Sequence, residues 1–211
     1  MTYDIVPTKL AVKAMRDNGY KNAAYAIAEL IDNAIQAGAD KVELLCAEEE
    51  IQLSQRKRSR IHALGVLDNG CGMDADVLRI ALQFGNGTHL DNDQDGIGRF
   101  GMGLPSSSIS QCRRVEVWTW QQGPESAIYS YLDLDEIEDE KMREVPSPIA
   151  KPIPDMFKKT GKAFEKTGTL VVWTDMDRIM WKTANAIIDN SEFLIGRMYR
   201  YFIHEKRVSI R

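Results

Sequence analysis

The chain has 211 residues, and 27 lysines and arginines against 31 aspartates and glutamates give it a net charge of −4 at pH 7. With 44% hydrophobic and 27% charged residues it has the composition of a globular domain, which excludes a disordered chain. The charge disfavours a dedicated nucleic-acid clamp, and the absence of a long apolar run excludes a membrane span. Three cysteines without a CxxC pair exclude a zinc ribbon and a disulfide scaffold. With no signal peptide, a reducing, cytoplasmic location is expected.

The first forty residues of the chain predict two helices. A short helix follows Pro7 and ends near the Asn18-Gly19 stop signal. The second helix covers residues 22–37, with Asn22 as its N-cap and Gly38 as its terminating glycine. Apolar residues recur along it with a 3.6-residue period, so one broad face is expected to be buried.

The rest of the chain predicts a sheet with further helices. Strands are expected at 41–47, 61–67, 115–120, 128–132 and 169–173, with the charged segment 48–60 joining the first two. Helices are expected at 74–84, from the serines at 106–108, and at 184–202, and the prolines between 146 and 154 indicate a loop or edge crossing. Residues 207–211 look like the opening of another strand, so we expect a fragment of a longer protein.

A glycine-rich stretch occupies residues 85–103 and includes GIGRFG at 96–101. A dinucleotide-binding fold needs a buried strand before such a motif, and here the acidic run 91–95 precedes it. The lysine and HRD segments of a protein kinase and the GK[ST] of a Walker A loop are also missing. The stretch is either a phosphate-binding lid, because glycines let backbone N–H groups approach an anion, or a plain mobile loop.

Two further motifs carry carboxylates. Glu29, Asp32 and Asn33 share one turn of the second helix, where they could serve as a general base and a Mg²⁺ ligand or simply form a solvated helix edge. Asp68 ends a strand and opens the sequence DNGCGM, in which a carboxylate could accept a hydrogen bond from an amine such as adenine N6. The bare backbone of Gly70 and Gly72 would accommodate a purine, although an ordinary strand-to-helix turn explains the same residues.

Four motifs stand in one order: ELIDN at 29–33, LDNGCGM at 67–73, GIGRFGMG at 96–103 and TGTLVVW at 167–173. Together they resemble the GHKL superfamily of ATPases, which comprises gyrase-type topoisomerases, HSP90-like chaperones, histidine kinases and MutL-type repair proteins. The closest resemblance is to MORC-like, MutL-like or prokaryotic chaperone-like members. It implies a Bergerat fold, an α/β (α+β) two-layer sandwich with helices on one face of a mixed, mostly antiparallel sheet.

The resemblance also implies roles for single residues. Glu29 would be the general base for a slow hydrolysis of ATP, Asn33 would hold Mg²⁺, and Asp68 would bind the adenine amine with support from Thr169. The remaining ATP-binding residues implied are Gln36, Ala37, Gly70, Gly72, Met73, Gly96, Gly98, Arg99, Phe100, Gly101, Met102, Gly103 and Leu104. Two departures from the family pattern are Gln36, where many members have aspartate, and Cys71 between the glycines.

At the level of the whole chain, the resemblance implies an ATP-binding domain at 1–205 and the start of a transducer-like region at 206–211. Lid closure and nucleotide-dependent homodimerisation would drive a larger protein, with a DNA or protein client and no membrane contact. In several branches the second domain contributes a phosphate-contacting lysine, so the site in this chain is expected to be incomplete. The alternative function is a nucleotide-binding switch with negligible turnover, and a histidine kinase is disfavoured because kinases of this family lack the catalytic glutamate.

A basic cluster, Arg56, Lys57, Arg58 and Arg60, lies between the first two predicted strands. A solvated hairpin loop explains it, and contact with DNA phosphates is the second interpretation. The four tryptophans lie on or beside predicted strands, which places them in the core.

Overall fold

A computed structural model describes residues 7–53, 56–85 and 102–211. In this part of the chain the helices are α1 (Thr8–Asp17), α2 (Ala23–Gln36), α3 (Ala75–Ala81), α4 (Gly103–Ile109), α5 (Leu134–Glu138), α6 (Asp155–Thr160), α7 (Ala184–Met198) and α8 (Arg200–His204). The strands are β1 (Lys41–Leu53), β2 (Arg56–Asp68), β3 (Arg114–Trp120), β4 (Ile128–Asp133), β5 (Ile149–Ala150), β6 (Gly168–Thr174) and β7 (Ser209–Ile210).

The seven strands form one sheet in the order β5-β4-β3-β6-β2-β1-β7. Every neighbouring pair is antiparallel except β1 and β7, which run parallel. A mixed, mostly antiparallel sheet with helices packed on it confirms the predicted fold class. Within the described ranges, no helix is both long enough and apolar enough to cross a membrane.

Helix α2 lies at the centre of the larger core. The Asn22 side chain caps it by accepting hydrogen bonds from the backbone N–H groups of residues 24 and 25, which confirms the predicted N-cap. Its alanines and the isoleucines Ile27 and Ile31 are almost fully buried against the sheet, α4 and α7, and Ile35 is partly buried. The polar edge that carries the ELIDN motif remains partly open, so the apolar face fixes where that motif points.

The opposite face of the sheet carries a second, smaller core. Phe157 of α6 packs there with Trp118 and Trp120 of β3, and all three are at most 2% exposed. Trp173 is buried in the larger core, so three of the four tryptophans are in the interior as predicted, and Trp181 is partly buried. Nothing in the sequence analysis anticipated α6 or α5.

Two predicted boundaries are wrong. Strands β1 and β2 extend through the segment 48–60, which was interpreted as their connection, because the charged residues pair across the two strands in open water. The predicted helix 184–202 is interrupted at Tyr199, between α7 and α8. That tyrosine is 4% exposed and its hydroxyl reaches back to α2, so a tertiary contact accompanies the break.

Candidate functional site

Asp68 ends β2 and lies 6% exposed in the protein. Its Oδ1 accepts a hydrogen bond of 2.8 Å from the backbone N–H of Gly70, and the backbone N–H of Thr169 donates a second hydrogen bond to the carboxylate. Burial raises the pKa of Asp68 to about 6 against the lowering effect of these two bonds. A carboxylate that remains short of donors after two backbone bonds is suited to a ligand that donates a third.

The glycines after Asp68 allow very close backbone approaches. Gly72 has φ +67°, and a Cβ placed on it would lie 2.2 Å from the carbonyl oxygen of Trp120. At Gly70 a Cβ would lie 2.8 Å from the Cβ of Ala37. The turn is therefore fixed against β3 on one side and against the end of α2 on the other, and larger residues at either position would displace it.

Thr119 of β3 links two of the predicted adenine-site residues, and sequence reasoning missed it. Its Oγ1 accepts the backbone N–H of Met73 at 2.8 Å and lies 3.2 Å from Oγ1 of Thr169. The same hydroxyl lies 3.2 Å from the carbonyl oxygen of Gly168. These hydrogen bonds connect four residues into one side of the site, which we call the wall: Asp68, Thr169, Thr119 and Met73. Thr119 stands between two tryptophans on a strand, so its spacing gave no functional signal.

The C-terminal end of α2 is held against this wall. The backbone N–H of Cys71 donates to the carbonyl oxygen of Ala37 at 2.9 Å. Asn69 also holds the connection between α2 and β1, because its Oδ1 accepts the backbone N–H groups of Asp40 and Lys41 at 3.1 and 2.9 Å. Asn33 lies one helical turn before Ala37, so the ELIDN turn and the Asp68 turn share one side of the domain.

Glu29 lies half-buried on the ELIDN turn, close to the start of α4. A Cβ on Gly103 would lie 2.1 Å from its Oε1, so only glycine fits beside the carboxylate as it stands. The hydroxyl of Tyr20 donates a hydrogen bond to Glu29. Burial is the main cause of a raised pKa at Glu29, which the Tyr20 bond opposes and the nearby Asp32 reinforces. The sequence analysis did not identify Tyr20.

Asp32 faces a second tyrosine. The hydroxyl of Tyr199 lies 2.7 Å from Oδ1 of Asp32 and 2.7 Å from the carbonyl oxygen of Ala28. Burial raises the pKa of Asp32, and the Tyr199 bond opposes the rise. Each carboxylate of the ELIDN turn is thus held by a tyrosine from outside the helix.

Asn33 has the buried amide that a metal ligand requires. Its Nδ2 atom is buried with no hydrogen-bond partner among the described residues. A half-turn of the amide exchanges the nitrogen for the oxygen, so a buried oxygen acceptor can occupy the same point. Such an oxygen suits Mg²⁺, which takes few protein ligands and completes its shell with phosphate and water. The residue present fits the predicted ion.

Buried serines anchor helix α4 beside Glu29. Oγ of Ser108 lies 2.7 Å from the carbonyl oxygen of Leu104 and accepts the indole N–H of Trp173 at 2.9 Å. Met102 and Gly103 therefore enter the helix at a fixed place.

The structure brings together Glu29, Asn33, Ala37, Asp68, Gly70, Gly72, Met73, Gly103 and Thr169. Leu104 and Met102 adjoin this group through α4, whereas Gln36 is exposed at the last position of α2. The predicted phosphate-loop residues Gly96, Gly98, Arg99, Phe100 and Gly101 lie outside the described residues.

Comparisons with known proteins identify the family of the chain. Residues 20–168 match the family described as histidine kinase-, DNA gyrase B-, and HSP90-like ATPase. The chain is 31% identical to ATPase MORC2B of Mus musculus over 105 residues, which are 49% of the chain and 10% of that protein.

Two bacterial proteins called DNA mismatch repair protein MutL are also similar. The protein from Paramagnetospirillum magneticum is 28% identical over 131 residues, which are 60% of the chain and 20% of that protein. The protein from Shewanella sediminis is 30% identical over 142 residues, which are 61% of the chain and 21% of that protein. The matched regions thus span between a tenth and about a fifth of these relatives.

Proposed function

Since the chain belongs to the family of histidine kinase-, DNA gyrase B- and HSP90-like ATPases, we propose that it binds ATP with Mg²⁺ and hydrolyses it slowly. The observation that carries the proposal is Asp68, a buried carboxylate at a strand end whose two backbone donors leave its pKa raised. Buried carboxylates without a cationic partner are unfavourable, and a ligand amine is the kind of donor that compensates.

The adenine subsite is built on the wall that Asp68 begins. Asp68 accepts a hydrogen bond from the adenine amine, and the ring lies along the backbone of Gly72 and Met73. Thr169 and Thr119 hold this backbone from the neighbouring strands. Gly70 and Ala37 close the side towards α2.

Glu29 serves as the general base for hydrolysis. Its carboxylate takes a proton from a water molecule as the water oxygen forms a bond to the γ-phosphorus and the bond from that phosphorus to the bridging oxygen breaks. The raised pKa of Glu29 favours this role, because a base works best when its pKa approaches the working pH. Tyr20 fixes the direction of the carboxylate through the hydrogen bond that it donates.

Asn33 holds Mg²⁺ through its amide oxygen. The bound ion would neutralise charge on the phosphates. Asp32 is assigned a structural role, because its Oδ1 accepts the hydroxyl of Tyr199 and so joins α2 to the break between α7 and α8.

The segment 96–104 completes the site as a lid whose backbone donors contact the phosphates, with Gly103 beside Glu29 in support. Closure of the lid accompanies nucleotide-dependent dimerisation within a longer protein. Its client is DNA or another protein.

Two measurements test the proposal. Calorimetric titration with ADP and with a non-hydrolysable ATP analogue, with and without Mg²⁺, should show binding that magnesium strengthens. Phosphate release from ATP should disappear in Glu29→Ala while analogue binding persists, and the exposed α7 variant Glu192→Ala should behave as wild type. Unchanged turnover in Glu29→Ala contradicts the general base, and binding without turnover in the wild type assigns the chain as a nucleotide switch.

A further inference from the structure

Strands β1 and β2 continue beyond the sheet as a two-stranded arm, which consists of residues 49–53 and 56–60. Strand β2 pairs with β6 only from Ala63 to Asp68, and β1 pairs with β7 only at Lys41 and Val42. The arm residues pair with one another alone. At about 3.4 Å per residue, the arm projects about 14 Å into solvent.

One face of the arm carries three arginines. Because side chains alternate along a strand, Arg56, Arg58 and Arg60 share a face and follow one another at about 6.8 Å. None of the three forms an ion pair with another described residue. Arg58 stands opposite Ile51 in the register, and Arg60 opposite Glu49. Glu49 offsets one of the three arginines, so among the described residues this face keeps an excess of positive charge.

The other face of the arm is neutralised within the domain. Lys57 forms an ion pair of 3.1 Å with Glu50. At the base of the arm the carboxylate of Glu48 accepts the backbone N–H of Ala184 at 2.7 Å and is hydrogen-bonded to Ser59. Among the described residues of the arm, the cations without an ion-pair partner are therefore all on the arginine face.

The net charge of −4 does not cancel this face. Six of the acidic residues lie between positions 133 and 140, at the end of β4, along α5 and just after it. In the sheet β4 is three strands from β2, which corresponds to about 14 Å. That separation exceeds the Debye length of about 8 Å at physiological salt, so the acidic segment is screened from the arm.

The geometry points to the arm as a contact for the phosphate backbone of duplex DNA. One strand of the duplex carries a phosphate per about 3.4 Å of helix axis, so three arginines spaced at about 6.8 Å can each meet a separate phosphate. A two-stranded ribbon also fits the major groove of B-form DNA, about 12 Å wide, whereas the major groove of A-form RNA is too narrow. This inference does not depend on the nucleotide site, because no residue of that site lies on the arm.

The experiment compares two neighbouring residues of equal charge on opposite faces. Binding of the 211-residue chain to a short fluorescent DNA duplex is followed by anisotropy from 50 to 200 mM salt without ATP. Three phosphate contacts predict about a 40-fold loss of affinity over this range. Arg58→Ala should remove about one third of the salt dependence, the triple alanine variant of Arg56, Arg58 and Arg60 all of it, and Lys57→Ala almost none. Arg58→Lys should keep the wild-type salt dependence, because a lysine also neutralises a phosphate.

Several outcomes overturn the inference. They are the absence of DNA binding by the wild type, equal losses in Lys57→Ala and Arg58→Ala, and tighter binding to an RNA duplex of the same sequence. Displacement of DNA by polyglutamate at equal charge concentration would assign the arm to acidic protein segments instead. All four positions are on the exposed arm, and unchanged thermal melting of the variants verifies that each remains folded.

Discussion

Replacing Asp68 by asparagine separates nucleotide binding from folding. The change keeps the shape of the side chain and removes its charge. In the variant, the amide oxygen can still accept the backbone N–H groups that now bond to the carboxylate. The amide N–H₂ then faces the ligand amine, and two donors meet where a donor and an acceptor met before.

The expected loss of binding follows from the bond that disappears. A hydrogen bond to a charged group contributes about 1.5–3 kcal/mol, so Asp68→Asn should weaken binding of ADP by about tenfold to 150-fold. Compounds that lack the exocyclic amine should lose nothing further in the variant. The comparison of adenosine with inosine nucleotides therefore localises the effect to one contact.

The stability of the folded protein, unlike its affinity for ADP, should not fall in Asp68→Asn. The pKa of Asp68 is raised from 3.8 to about 6 in the folded protein, so the folded protein holds the proton on Asp68 more tightly than the unfolded chain does. Its contribution to stability is complete below pH 3.8 and is lost as the pH rises through about 6, a change of about 3 kcal/mol. Asparagine does not titrate, so the variant at pH 7 should be no less stable than the wild type.

The assay combines titration calorimetry with urea unfolding at pH 4 and at pH 7. Wild type should lose stability relative to Asp68→Asn between these two pH values. Retained ADP affinity in the variant refutes the adenine contact, and a variant that is less stable at pH 7 refutes the reasoning on burial.

Three further substitutions probe the same site. Gly103→Ala should reduce turnover by about 100-fold with little change in melting temperature, because the new methyl displaces only the flexible end of Glu29. Gly196→Ala in α7, where a Cβ meets open space, serves as its control and should stabilise the protein by about 0.5–1 kcal/mol. Tyr20→Phe removes the bond that lowers the pKa of Glu29, so the acidic limb of the pH–rate profile should move to higher pH. Gly72→Ala should destabilise the fold by at least about 1–3 kcal/mol in chemical denaturation, because the residue has positive φ and faces a backbone carbonyl.

For each of these predictions, one outcome would contradict it. Equal turnover in Gly103→Ala and wild type would mean that Glu29 tolerates displacement and is not the positioned base. A pH–rate profile that Tyr20→Phe leaves in place would remove Tyr20 from any role beyond packing. Wild-type stability in Gly72→Ala would show that the turn can shift without cost.

The sequence predicted α2 accurately because several local signals agree there. The 3.6-residue apolar period, the Asn22 cap and Gly38 at φ +79° all describe the same helix and its end. The motif on its polar edge was therefore placed correctly without knowledge of any tertiary contact.

The arm and the break at Tyr199 were missed because neither has a local signal. The strands of the arm have solvent on both faces, so no alternation of apolar and polar residues marks them as strands. Gly196 lies inside α7, two residues before its end, but no glycine or proline stands at the break itself, at Tyr199. Its interruption accompanies a contact between the Tyr199 hydroxyl and α2, which lies about 170 positions away in the chain.

The supporting residues of the site could not be found for a related reason. Thr119 touches Met73 from a strand 46 positions later, and only the pairing of β3 with β6 aligns it with Thr169. The motifs predict which residues face a ligand, whereas the residues that orient them are set by sheet order. Sheet order depends on long-range pairing, which the single sequence does not encode in any short window.

Burial raises the pKa of all three acids of the site: Glu29, Asp32 and Asp68. The donors that oppose it come from Tyr20, Tyr199 and the backbone, and they do not cancel it. The free protein therefore holds three carboxylates that are incompletely solvated, which lowers its free energy of unfolding. A ligand that donates hydrogen bonds to them recovers part of that cost as binding free energy. At Asp68, the carboxylate that faces the adenine amine, a neutral substitution that relieves this cost in the free protein should consequently weaken ligand binding, because the same desolvation produces both effects.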